Sequence, residues 1–412
     1  MSDAIRQLHI VLLTVLLTAS ARADAPGGVV QVGSGEAVQI RSLMAPSVVP
    51  SITRWLQYAT EMAVRDFGSI YGHRIELGGP IDTRCSPEGG RAGAEQVIAE
   101  PRVLGVIGTL CSGSAVGASP LLSVAGLVMV SPANISPALT SDLAGNVGAH
   151  YYPGYFRTAN NGLYHAQAAA EFAYAELGLR RMVSVDDGDP YSAGSAAAFG
   201  HAFHSLGGEI ISAARIEKGD TDMTEVLAEF SAVAPDGIFF PLFESEGLAF
   251  IRQVRSIDRL QGAMLIADSA LLVSAFLGTP LSEGIYFAGP VATHISGSNM
   301  ATGKNADAIL AVFESAYDGS PISPYWAHAY DSTTLLLRAI RSVAVVDGGK
   351  LYVDRAVLRK EIGATSGFQG ITGILSCDEY GDCGTGRVNI YHHEDSSVTD
   401  PAQLPAVYHF LP

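Results

Sequence analysis

Short apolar runs rich in β-branched residues alternate with longer stretches of helical pattern through most of the chain. VLGVIG ends at Gly108, and a helix-like stretch, SAVGASPLLSVAG, follows. LVMVSPA then reads as a strand, and SPALT opens a further helix-like segment. A second series begins near Arg157, with an alanine-rich helix from about Gly162 to Leu177. RMVSVDD, EIISAARI, GIFFPLF and AMLIAD read as strands. YSAGSAAAFGHAFHSLG, MTEVLAEFSAVA and EGLAFIRQVRSI read as the helices between them. Strand–helix alternation predicts parallel sheets with helices on both faces. Strands as uniformly apolar as GIFFPLF fit sheets buried on both sides.

After GIYFAG, near Gly289, the pattern turns mostly helical, over about Lys304–Tyr317, Trp326–Val343 and Asp354–Ile362. The end returns to strand-like ITGILSCD and GRVNIYHH. The chain thus holds two α/β blocks and a tail that changes character twice. Its 412 residues exceed one ordinary core, so two domains are expected. The first 23 residues stand apart. Arg6 precedes an unbroken run of apolar residues and threonines from Ile10 to Ala19, and Ala21-Arg22-Ala23 supplies small residues for cleavage before Asp24. This is the pattern of a secretory signal peptide, and the run is short for a bilayer span. A soluble protein outside the cytoplasm is expected.

Composition narrows the function. Apolar residues make up 48% and charged residues 16%, which suits a packed globular protein. The formal charge of −16 argues against nucleic acid and against an anionic membrane surface as partner. Four cysteines in an exported chain point to disulfides, with three possible pairings. Local pairing of Cys377 with Cys383, across the turn-like CDEYGDC, would leave Cys85 to pair with Cys111. A thiolate metal site finds no support in a Cys-x-x-Cys spacing.

Ligands of open parallel sheets bind beyond the carboxyl ends of the strands. Two such ends stand out in the first block. Gly108-Thr109-Leu110-Cys111-Ser112-Gly113-Ser114 joins a buried strand to a helix start, where free amides and a serine hydroxyl suit a carboxylate. Ser131-Pro132-Ala133-Asn134-Ile135-Ser136-Pro137 repeats the same strand–loop–helix logic. Asp186, Asp187 and Asp189 crowd a further strand end with Tyr191, where capping plus one ligand-facing aromatic is the preferred reading. Gly33-Ser34-Gly35 lacks the third glycine of a dinucleotide site and is read as preceding the first strand. No Walker loop, Gly-x-Ser-x-Gly elbow or His-Glu-x-x-His is present, and no enzyme is expected. His392-His393-Glu394-Asp395 reads as a solvated strand end rather than a metal site. No metal or other cofactor is expected.

The stretch from Asp82 to Thr140, with YFRTANN, DDGDPYSAG, FIRQVRS and ITGILSCDEYGD, resembles the periplasmic leucine/isoleucine/valine-binding proteins over essentially the whole mature chain. The resemblance implies a type I periplasmic binding fold, α/β, with two doubly wound parallel-sheet lobes joined by three crossovers. Residues 24–156 plus 290–366 would form one lobe, and 157–289 plus 367–412 the other. It implies a Cys85–Cys111 disulfide, while Cys377–Cys383 lies beyond the family pattern.

The resemblance also implies ligand contacts. Ser112 would hold a carboxylate, the Ala133 carbonyl an ammonium, and Tyr191 would close from the second lobe. Asn134 shares the Ala133 loop. Ile135 stands where the family has a threonine, and Ile52 where it has an aromatic. The acidic partner of the ammonium is best matched by Asp268, with a one-residue ambiguity against Ser269, and Glu244 is the substitute. The implied role is a monomeric periplasmic receptor that captures an amino acid or similar small polar solute by hinge closure and docks on ABC permease subunits. A sensor role, or a non-amino-acid solute such as an aromatic acid or amide, is the alternative.

Overall fold

The computed structural model describes residues 28–291, 297–317, 319 and 321–412. The leader expected over residues 1–23 lies outside the described residues. Two seven-stranded sheets organise the chain. In the first, Val38–Met44, Val103–Gly108, Val128–Ser131 and Tyr155–Arg157 lie side by side and parallel. In the second, Glu209–Arg215, Arg181–Asp186, Gly237–Phe240, Met264–Ala267 and Ile285–Pro290 run parallel, and Val388–His393 and Ala406–Phe410 complete the edge antiparallel.

Each sheet is covered on both faces, which is why strands such as VLGVIG carry no polar side chain. On the first sheet the helices Pro50–Phe67 and Tyr325–Val343 cover one face, and Pro87–Ile98 and Ser112–Val124 the other. On the second, Gly162–Glu171 and Pro190–Ser205 lie opposite Thr224–Val233 and Glu244–Val254.

The helix that begins at Ser112 is fixed with particular closeness. A Cβ on Gly90 would lie 2.0 Å from the Ser114 carbonyl oxygen, and one on Gly117 would lie 1.9 Å from that of Pro87. The two helices therefore touch backbone to backbone, which only glycine permits. The Cys85–Cys111 disulfide ties their starting ends together, and Cys377–Cys383 closes the second pair. Both pairs match the arithmetic of the four cysteines.

Three local expectations change. SPALT forms a single 3-10 turn, Pro137–Leu139, not a helix. The strand Val29–Val32 precedes Gly33 instead of following it, and pairs with Lys350–Asp354, itself joined to Val345–Asp347 in a small third sheet. His393 is not solvated: it is buried, with Nδ1 against the Ser282 hydroxyl at 3.1 Å and Nε2 against the Val398 carbonyl at 3.2 Å.

The chain passes between the two sheets after Arg157, after Pro290 and again before Val388. Arg157, wholly buried, knits the first and last of these passages. Its guanidinium donates to Asp382, to the Asn134 carbonyl at 3.2 Å, to the Ser136 carbonyl at 2.8 Å and to the Thr140 hydroxyl at 2.6 Å. One charged group thus satisfies a buried loop and fixes the path of residues 134–136 beside the cleft.

Candidate ligand site between the lobes

The carboxyl ends of both sheets face one cleft, and a chamber of about 60 Å³ lies there. From the first lobe come Ser112 and Leu110 at one strand–helix junction, Ala133 and Ile135 at the next, and Val49 and Ile52 at the start of the helix Pro50–Phe67. From the second come Tyr191, Phe243, Glu244, Ser269, Ala270 and Val273. Tyr325, at the first turn of Tyr325–Val343, closes the chamber from the first lobe.

Ser112 is the first helical residue after Cys111, so its own amide and those of the next two residues have no partner within the helix. Its side chain is 2% exposed and accepts the Ser136 amide at 3.3 Å. Its hydroxyl proton has no acceptor among the described residues. Hydroxyl and helix start together form an anion-binding end. Glu244, the first residue of Glu244–Val254, is half-buried in the opposite wall, and burial pushes its carboxyl above the ordinary carboxylate value. Tyr191 lies against Phe243 with ring centroids 5.1 Å apart, and its hydroxyl accepts the Ala270 amide at 3.3 Å.

Asp268 and Asn134 stand behind the wall instead of in it. Asp268 is fully buried and its carboxylate is already occupied. It accepts from His165 Nδ1 at 2.9 Å, from the Ser195 hydroxyl at 2.6 Å and from the Ser269 amide at 2.6 Å. Asn134 is also fully buried, its Oδ1 accepting from the Thr109 hydroxyl at 3.0 Å and the Tyr155 hydroxyl at 3.2 Å. Neither lines the chamber, whereas Ser112, Ala133, Ile135, Tyr191, Glu244 and Ile52 do.

Sequence reasoning missed Phe243 and Tyr325, and reached Ser269 only as the one-residue alternative to Asp268. Phe243 ends the apolar run GIFFPLF immediately before Glu244, and Ser269 follows the strand Met264–Ala267, so the strand-end rule that found Ser112 applies to both. Tyr325 carries no local signal, because its helix reaches the cleft only through tertiary packing.

The lobes touch across the chamber. The Ser136 hydroxyl donates to the Pro190 carbonyl at 2.8 Å, and the Lys218 ammonium to the Cys85 carbonyl at 3.0 Å. Tyr325 donates to the Ser269 hydroxyl at 2.9 Å. This is a closed cleft.

A profile of the periplasmic binding protein family matches residues 49–386. Leu/Ile/Val-binding protein homolog 3 of Brucella melitensis is 22% identical over 333 residues, covering 80% of this chain and 83% of that one. Among solved structures, a leucine-binding protein from Thermotoga maritima superposes with a TM-score of 0.77 at 23% identity, over 91% of this chain and 99% of that one. A solute-binding protein of an ABC transporter from R. palustris, in complex with benzoate, gives 0.73 at 19% identity, over 91% and 97%. The fold is that of the type I periplasmic binding proteins. The chain belongs to the periplasmic binding protein family, whose members bind solutes rather than transform them.

Proposed function

We propose that this protein captures an α-amino acid in the interlobe cleft and delivers it to the permease of an ABC importer. The supporting observation is that the Ser112 helix start and the Glu244 carboxylate line one largely apolar chamber. A zwitterion needs both: donors for its carboxylate and an acid for its ammonium, since an unpaired charge is costly away from water. The Ala133 carbonyl adds an acceptor on the ammonium side. Glu244, not Asp268, takes the acidic role, because the Asp268 oxygens are already committed. Two of the named proteins, the Leu/Ile/Val-binding homolog and the leucine-binding protein, are named for branched-chain amino acids, which fits this pairing, whereas the R. palustris protein holds benzoate.

Capture proceeds by hinge closure of the two lobes, and the closed form docks on the membrane subunits. The leader is cleaved before Asp24, and the mature protein works as a periplasmic monomer.

Calorimetric titration of protein stripped of ligand by unfolding and refolding tests this reading. Binding of free amino acids, with benzoate and simple amides inert, supports it. Binding of benzoate or an amide with no response to any amino acid would overturn it.

A further inference from the structure

Glu244 faces a second space as well as the chamber. This space of about 380 Å³ adjoins the chamber, and the two share Val49, Ile52, Phe243 and Glu244 as common wall. The inner chamber, at about 60 Å³, has room for roughly four to six water-sized groups at ~10–15 Å³ each. A carboxylate and the carbon that bears it come close to filling it. With the carboxylate at the Ser112 helix start and the ammonium at Glu244, the third arm of an α-amino acid has to go elsewhere.

The adjoining vestibule is built to take an uncharged arm. Val48, Pro50, Leu248 and Ala275 add apolar surface to the shared wall. Its two other charged groups already have partners. Lys218 donates to Asp189 at 3.1 Å and to the Cys85 carbonyl, and its ammonium lies 4.6 Å from the Phe243 ring centre. Glu246 is buried and accepts the Gly219 amide at 2.7 Å and the Ser245 hydroxyl at 2.6 Å. Glu244 is left as the carboxylate without a partner among the described residues, and the adjoining space of about 380 Å³ exceeds what a four-carbon side chain needs.

We propose that the side chain of the bound amino acid passes Glu244 into this vestibule, so that the preferred ligands carry a bulky apolar side chain, the aromatic amino acids above all. This rests on the amino-acid reading of the site and adds the direction and size of the third arm. Ligand-stripped protein is titrated with L-alanine, L-leucine, L-phenylalanine and L-tryptophan. Phenylalanine or tryptophan is expected to bind at least tenfold more tightly than leucine.

Two exposed positions on the vestibule rim, Ser51 and Ala275, allow it to be filled from either lobe. Ser51→Trp and Ala275→Phe should each lower the phenylalanine-to-alanine affinity ratio at least tenfold. Leucine binding more tightly than both aromatic amino acids would overturn the vestibule while leaving the amino-acid reading intact. An unchanged ratio in both variants would do the same. No response to any of the four overturns both.

Discussion

The phenol of Tyr325 donates to the hydroxyl of Ser269 at 2.9 Å, and the bond spans the cleft from one lobe to the other. Both residues are buried, at 7% and 2% exposure. In an open form each hydroxyl would meet water, so the bond favours closure without favouring folding. Tyr325→Phe should therefore raise the rate of ligand release, while the urea midpoint of the ligand-free protein stays nearly fixed. A net hydrogen bond of about 0.5–1.5 kcal/mol corresponds to roughly a two- to twelvefold faster release. Stopped-flow displacement measures it, and an unchanged rate would remove the bond from the closing mechanism.

Asp268 illustrates the opposite case, a carboxylate that serves the fold. Its oxygens gather the His165 ring, the Ser195 hydroxyl and the amide of Ser269, so it sets the turn that presents Ser269 and Ala270 to the chamber. Removing one member of a buried charged network leaves the others without a partner, at a cost of about 3–5 kcal/mol. Asp268→Ala is expected to lower stability by that order in urea unfolding. A variant as stable as the parent, but with lost ligand affinity, would return Asp268 to the ligand's first contacts.

Much of this was legible in the chain. The alternation of apolar runs and helical stretches gave the two parallel sheets, because strands covered on both faces leave a continuous apolar signature. The strand-end rule reached Ser112, Ala133 and Tyr191 for the same reason. It could not tell Glu244 from Asp268, since both follow strands of the second lobe, and only the packing of His165 and Ser195 shows which carboxylate is occupied. The third sheet escaped notice because its strand Val345–Asp347 is fully exposed and short. Its turn did carry a signal: Asp347-Gly348-Gly349, with both glycines at positive φ, is a hairpin connection between apolar flanks.

Asp187 gives a pH prediction. Its Oδ1 accepts the Asp189 amide at 3.0 Å, but its Oδ2 is buried with no partner among the described residues. Burial, chiefly, lifts its pKa from 3.8 to about 6. A carboxyl raised in the folded state favours folding when protonated. That contribution is complete below the ordinary value of 3.8 and is lost as pH rises through about 6. Above it, the ionised form costs about 3 kcal/mol relative to a neutral group. Asp187→Asn keeps the Oδ1 acceptor and removes the charge. Its stability relative to the parent should climb between pH 4 and pH 8, by up to about 3 kcal/mol. A difference that is flat across this range in urea titrations would refute the assignment.

Glu244 combines both arguments, and its two effects have opposite signs. Desolvation raises its pKa, so in the ligand-free protein the ionised carboxylate is held against its preference. Glu244→Gln should leave the ligand-free protein at least as stable as the parent at pH 7, since its carboxylate has no hydrogen-bond or ion-pair partner to lose among the described residues. A zwitterion arriving in the cleft supplies the missing cation, and a hydrogen bond to a charged group contributes about 1.5–3 kcal/mol. The same substitution should therefore weaken amino-acid binding by roughly ten- to 150-fold. In the parent, affinity should fall as pH drops through the raised pKa of Glu244, because protonation removes the charge that meets the ammonium. In Glu244→Gln that fall should disappear. Titrations between pH 4 and pH 7.5 read both effects at once. A structural glutamate would lose stability on substitution and leave the pH profile of binding as it was. A ligand-binding one does the reverse.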